Sequence, residues 1–165
     1  MTLIKGAAGA AALAFVGLFA LPASAQQVYD KLNTSDVTEL LKSIGLDSKV
    51  DPPDEDYDGD YVTTKYGKIS YWIHFTECNK GGTNCATIVF DAGFSYTDKD
   101  DRPTLEEIND WNEYNIGKAG LDKNGDPYIN VEVHTLGGLT RSNLIQTVTW
   151  WEGILDDFTD SIGWS

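Results

Sequence analysis

The chain has 165 residues, with 26 acidic against 12 basic side chains and a formal net charge of −14 at pH 7. So acidic a surface repels phosphate backbones and anionic lipid headgroups, which argues against nucleic acid or a membrane surface as the partner. Hydrophobic residues make up 41% of the chain, enough at this length to bury the core of one domain.

Met1–Ala25 reads as a secretory signal peptide. Lys5 and the amino terminus form the positive region, Gly6–Leu21 the apolar stretch, and Ala23-Ser24-Ala25 the small-residue cleavage site. A membrane anchor is the competing reading. Seven Ala and three Gly among those 16 apolar-stretch residues make it short and weakly hydrophobic for a span. Cleavage after Ala25 removes one charged side chain, Lys5, so the net charge moves from −14 to −15 and a single domain of residues 26–165 remains. The expected location is periplasmic or secreted, with no membrane attachment after cleavage.

In the mature chain, Thr34-Ser35-Asp36 offers helix N-caps, and Asp36 with Glu39 has capping-box spacing. Val37, Leu40, Leu41 and Ile44 share one helical face, and Gly45 ends the helix. Lys49–Asp51 can start a strand before Pro52-Pro53 stops it. The acidic loop Asp54-Glu55-Asp56-Tyr57-Asp58-Gly59-Asp60 follows. Tyr61–Lys65 and Ile69–Phe75 read as strands. In the second, Ile69, Tyr71, Ile73 and Phe75 alternate with Ser70, Trp72 and His74. Ala86–Phe94 is the partner strand, with Ala86, Ile88, Phe90 and Ala92 on one face.

Cys78 and Cys85 bracket Asn79-Lys80-Gly81-Gly82-Thr83-Asn84, a run of turn residues between two strands. The spacing and an oxidising compartment favour a disulfide at the mouth of a hairpin over free thiols or a metal pair. Pro103 and Thr104 open a second helix, with Glu106 and Glu107 in its first turn. Lys118–Leu121 and Tyr128–Thr135 are strands joined by a loop containing Asn124-Gly125, a hairpin signal. Gly137-Gly138 breaks the chain, and Thr140 caps a last helix whose Leu144, Val148, Trp151, Leu155 and Phe158 form a core-facing stripe. The expected fold is α+β, an antiparallel sheet with packed helices in the order α-β-β-β-α-β-β-α.

Asp54-x-Asp56-x-Asp58-Gly59 matches the opening of a calcium loop, but Lys65 stands at the twelfth position where a Glu is needed. A solvated acidic loop is the alternative. His74 and His134 lack a nucleophile or carboxylate partner visible in the sequence and read as sheet-face residues. Asn109, Trp111 and Asn112 form either a recognition edge or, the favoured reading, a structural joint: Trp111 anchors helix to sheet, and Asn112 and Asn115 bond to backbone at a sheet edge. Trp151 lies on the apolar stripe. Trp150 lies about 100° around it, toward Ile154, as part of the core or of a dimer or partner patch.

The pieces Val37–Leu46, Cys78…Cys85, Leu105…Asn109-Asp110-Trp111-Asn112, Ala119…Leu121-Asp122…Gly125-Asp126-Pro127 and Gly137-Gly138 before the last helix resemble, together, the YbjN-domain family of bacterial sensory transduction regulators. The resemblance covers nearly the whole mature chain. It implies a fold like that of type III secretion chaperones, often dimeric, and a regulatory or partner-binding role without catalytic residues. The signal peptide departs from cytoplasmic members.

The expected function is therefore an exported, non-enzymatic regulatory domain that binds another protein or itself, without a cofactor. Trp72 on the sheet face, and Trp150 with Ile154 on the last helix, are the candidate contacts. The alternative is a small periplasmic ligand- or cation-binding protein using the acidic 51–60 loop, with Asp54, Asp56 and Asp58 as ligands. An unrecognised hydrolase comes third.

Overall fold

The computed structural model describes residues 27–165. The expected signal peptide, Met1–Ala25, lies outside the described residues. The elements run β1 (Val28–Tyr29), α1 (Thr34–Ser43), β2 (Ser48–Asp51), β3 (Tyr61–Tyr66), β4 (Ile69–Thr76), β5 (Thr87–Gly93), α2 (Leu105–Tyr114), β6 (Lys118–Leu121), β7 (Pro127–His134), β8 (Leu139–Thr140) and α3 (Arg141–Ser161). Six strands form one antiparallel sheet in the order β2-β3-β4-β5-β7-β6, and β1 pairs with β8 separately. The class is α+β, as expected.

The element order differs from the expected one. Lys49–Asp51 belongs to a full strand at the sheet edge, so four strands rather than three separate the first two helices. The two-residue strands β1 and β8 are further additions. They are too short to show alternation, and tertiary pairing alone defines them. The first helix also starts earlier than Asp36 suggested, with Asn33 as its N-cap. The backbone N–H of Asn33 donates to Asp36 Oδ2 at 2.8 Å, so Asp36 serves as the acidic member of the box rather than its cap.

Alternation in the strands decides where the core lies. Val62, Tyr71, Ile73, Ile88, Phe90, Ala92 and Ile129 point to the side where all three helices pack, and each is fully buried. Trp151 sits at the centre of α3 with ring centroids 6.1 Å from Tyr71 and 5.8 Å from Phe90, tying α3 across β4 and β5. Aromatic pairs of this kind add about 0.5–1.5 kcal/mol each beyond the area they bury. Trp111 brings α2 onto the same core, edge-on to Phe158 at 5.0 Å. The helices cover one face of the sheet, so whatever the other face carries is free for different work.

Candidate functional site

The second face of the sheet displays the alternate residues: Thr63 on β3, Trp72 and His74 on β4, Val89 and Asp91 on β5, Asn130 on β7. The register sets Trp72 opposite Asp91, Asp91 opposite Asn130, and His74 opposite Val89. No helix lies here. The loop between β2 and β3, residues 52–60, folds back over this face as a flap.

Asp54 organises that flap. Its Oδ1 accepts the backbone N–H groups of Asp56 (2.9 Å) and Tyr57 (3.1 Å), the local turn that short carboxylates favour. Its Oδ2 accepts the Tyr61 hydroxyl at 2.7 Å. The Tyr61 hydrogen bond, and after it the backbone ones, hold the Asp54 carboxyl below its usual range. The turn aims Tyr57 inward. Its ring stacks on His74 with centroids 3.4 Å apart and planes 11° from parallel, and its hydroxyl donates to Asp91 Oδ2 at 2.8 Å. Tyr61 flanks the same imidazole at 5.3 Å.

His74 is thereby buried, 4% exposed, and among the described residues neither of its ring nitrogens has a hydrogen-bond partner. Its Nε2 lies 4.0 Å from Asp91 Oδ2, too far for a direct bond. Burial pushes the imidazole pKa down to about 4, outweighing the opposing pull of Asp54, so the ring is neutral at physiological pH. Burial also pushes the Asp91 carboxyl up, against the hydrogen bonds from Tyr57 and the Ala92 backbone. A cavity of about 410 Å³ opens here, lined by flap residues including Tyr57, Asp58 and Tyr61 and by His74, Asp91 and Asn130 of the sheet.

The other expected site residues fall elsewhere. Asp54, Asp56 and Asp58 are exposed and do not converge. Among the described residues no group of three or more His, Cys, Asp or Glu side chains is arranged to hold a metal ion. Asp54 spends its oxygens on the turn and on Tyr61. Trp72 is half-buried on the open face, beside the cavity. Trp150 is 43% exposed on α3. Ile154 is 6% exposed and belongs to the core, which overturns its expected place in a surface patch with Trp150. At four residues beyond Trp150 it turns inward next to Leu155, so the apolar stripe is wider than a strict step of four and three suggested.

Cys78 and Cys85 form a disulfide. Cys85 also exchanges backbone hydrogen bonds with Leu32, both 2.9 Å, so the bridge anchors the lead-in to α1 as well as the hairpin. His134, 61% exposed at its side chain, meets Thr87 Oγ1 through Nδ1 at 2.9 Å. The Thr87 hydroxyl donates to Glu77 Oε2 at 2.7 Å and is fully buried, so this is a clasp across the hairpin mouth rather than an accessible nucleophile and base. Asn112 receives the N–H of Ala119 (2.8 Å) and donates to its carbonyl (3.0 Å), closing the β6 edge as an extra strand would. The structural reading holds for Trp111 and Asn112 but not for Asn115, which is exposed and, among the described residues, takes part only through its backbone N–H, donated to the Trp111 carbonyl at 2.9 Å.

Sequence reasoning missed His74 as a buried residue and Tyr57 as its cover. The alternation of β4 placed His74 off the helix-covered face, which ordinarily means exposure. One signal was present: two tyrosines within an otherwise acidic loop, on either side of a glycine.

The described residues thus form an α+β domain with one sheet face covered by helices and an acidic flap over the other. Residues 33–164 match the YbjN family, described as "Putative bacterial sensory transduction regulator", and the chain belongs to that family. No curated protein matches it.

Proposed function

We propose that this chain is an exported, non-enzymatic regulatory domain that acts by binding another protein through the open face of its sheet. One observation carries the reading: Trp72 sits half-buried in the middle of a helix-free sheet face, beside a flap with Asp54, Glu55, Asp56, Asp58 and Asp60 and no basic residue. A tryptophan bordered by carboxylates is the composition of an interface centre with an acidic rim. The complementary partner surface is basic. The Thr87–His134 pair supports the non-enzymatic part, because its hydroxyl is buried and already committed to Glu77.

The test is a photo-crosslinking phenylalanine analogue placed at Trp72, at Trp150 and, as control, at exposed Asn143, in cells carrying the full chain. An adduct at position 72 that fades with rising salt supports the reading. Adducts at 150 and not at 72 move the interface to α3, and adducts at none of them reject protein binding by either surface. Fractionation of the same cells tests export: uncleaved chain in the cytoplasm overturns it. A second reading, a small-ligand protein, is favoured by the unpartnered His74 under Tyr57.

A further inference from the structure

We infer that the cavity between the flap and the sheet is a binding site for an alkylammonium group, seated against His74 and Asp91. This goes beyond the protein-binding reading and does not depend on it.

Three features define the chemistry. The first is an unsatisfied acceptor. His74 is 4% exposed, lines the cavity and has no partner at either ring nitrogen among the described residues. A neutral imidazole presents one N–H and one lone pair; with the N–H turned toward Asp91 Oδ2, 4.0 Å away, the buried lone pair on the other nitrogen is left without any partner, and a donor to it is what the site lacks. The second is an unneutralised carboxylate. Asp91, its side chain 21% exposed, receives the Tyr57 hydroxyl, but among the described residues no lysine or arginine is paired with it and His74 stays 4.0 Å away. The third is the wall. Tyr57 and Tyr61 put aromatic rings beside the imidazole, and Asp56, Asp58 and Asp60 line the rim.

An anion is excluded by these carboxylates. A multivalent metal is disfavoured because among the described residues no three ligating side chains converge. A guanidinium wants a free two-oxygen fork, whereas Asp91 Oδ2 already accepts Tyr57. An ammonium suits what is left. Its three N–H groups can divide between the His74 lone pair and an Asp91 oxygen, and its charge meets the acidic rim and tyrosine rings. The volume of about 410 Å³ accommodates a short alkyl chain behind it.

The ammonium can come from a free small amine or from a lysine side chain, and the probes separate the two. Calorimetric titrations of the described domain use 1,4-diaminobutane, N-acetyl-lysine methylamide, and tetramethylammonium as a cation without N–H donors. Each is run at moderate and raised salt. Variants His74→Phe and Asp91→Asn are checked for folding by circular dichroism. The expected result is saturable binding of diaminobutane, of the lysine derivative, or of both. Tetramethylammonium and both variants should bind at least about tenfold more weakly, as loss of a charge-assisted hydrogen bond requires. Diaminobutane alone binding identifies a free amine, and the lysine derivative binding equally well identifies a lysine side chain. In wild type, a ring-nitrogen NMR signal of His74 should move on saturation. Equal affinity for tetramethylammonium, insensitivity to both variants, or no saturable binding up to about 10 mM overturns the inference. In the first two cases what remains is counterion association with an acidic surface.

Discussion

The burial of His74 has a consequence for acid stability that can be worked through in advance. Its imidazole has an ordinary pKa of 6.5 in the unfolded chain and about 4 in the fold, where burial opposes the charged form. The native state therefore refuses a proton that the unfolded state accepts. Stability from this group is complete above pH 6.5 and is lost as pH falls toward 4. Lowering the pKa from 6.5 to about 4 corresponds to about 3 kcal/mol in full, and about 2 kcal/mol of it is gone by about pH 5. The groups facing His74 from neighbouring elements are Tyr57 and Asp54 of the flap, Tyr61 of β3 and Asp91 of β5. Asp91, raised by burial, works the other way on acidification, because its native form takes up a proton more readily than the unfolded one. That contribution is shared by wild type and a His74→Phe variant, which keeps a flat ring under Tyr57 and removes both nitrogens. Urea unfolding of the two proteins, followed by tryptophan fluorescence at about pH 7.5 and about pH 5, isolates the imidazole. Wild type should lose about 2 kcal/mol more than the variant between the two pH values. Equal losses would show that His74 is reached by water or takes a proton in the fold, and would refute the assignment of a buried, neutral ring.

Replacing Cys78 and Cys85 by Ser, or reducing them, should cost about 2.5 kcal/mol from the short ring they close, read as a lower urea midpoint, while non-reducing mass spectrometry of periplasmic material finds no alkylatable thiol. Trp151→Ala opens a cavity between Tyr71 and Phe90 and should cost about 3–5 kcal/mol in chemical unfolding. Asn112→Ala leaves the Ala119 N–H and carbonyl without their partner, so a lower melting temperature and concentration-dependent light scattering should appear together. Trp150→Ala should leave stability within about 0.5 kcal/mol of wild type, in contrast to Ile154→Ala in the core.

Those contrasts mark what the sequence makes legible. Alternation in β4 and β5 and the stripe of α3 assign the helix-covered face correctly, because burial on one side imposes a period of two or 3.6 on every residue. The Thr104 and Thr140 caps are legible for the same local reason, and in the structure each hydroxyl accepts an N–H three residues on. The site is a different matter. His74 and Tyr57 are 17 residues apart and meet only because a turn around Asp54 throws the loop back across β4 to reach β5. Nothing in the local pattern of either segment encodes that meeting. The carboxylates that stand out by spacing, Asp54, Asp56 and Asp58, divide between turn formation and solvent. Asp91, which reads as one more outward-facing strand residue, is the carboxylate the flap is built to contact.

The two candidate activities of the open face are joined by geometry. Tyr57 is held by its stack on His74 and its hydrogen bond to Asp91, and Asp91 lies directly across the sheet from Trp72. A cation that takes up Asp91 draws on the same carboxylate as the Tyr57 hydroxyl, whether it competes for Oδ2 or, bound at the other oxygen, draws charge away from it and weakens that bond. Either outcome changes how firmly the flap is pinned, and the flap carries the acidic rim beside Trp72. A hydrogen bond to a charged group contributes about 1.5–3 kcal/mol, comparable to the coupling energies that link two ligands in regulatory proteins. The helix-covered face need not move for this to happen, since its core packs independently of the loop. On the two proposals above, the responsive element is a single loop anchored by one tyrosine on the sheet, and the expected outcome is that occupancy of the cavity and affinity for a partner at Trp72 each change when the other does.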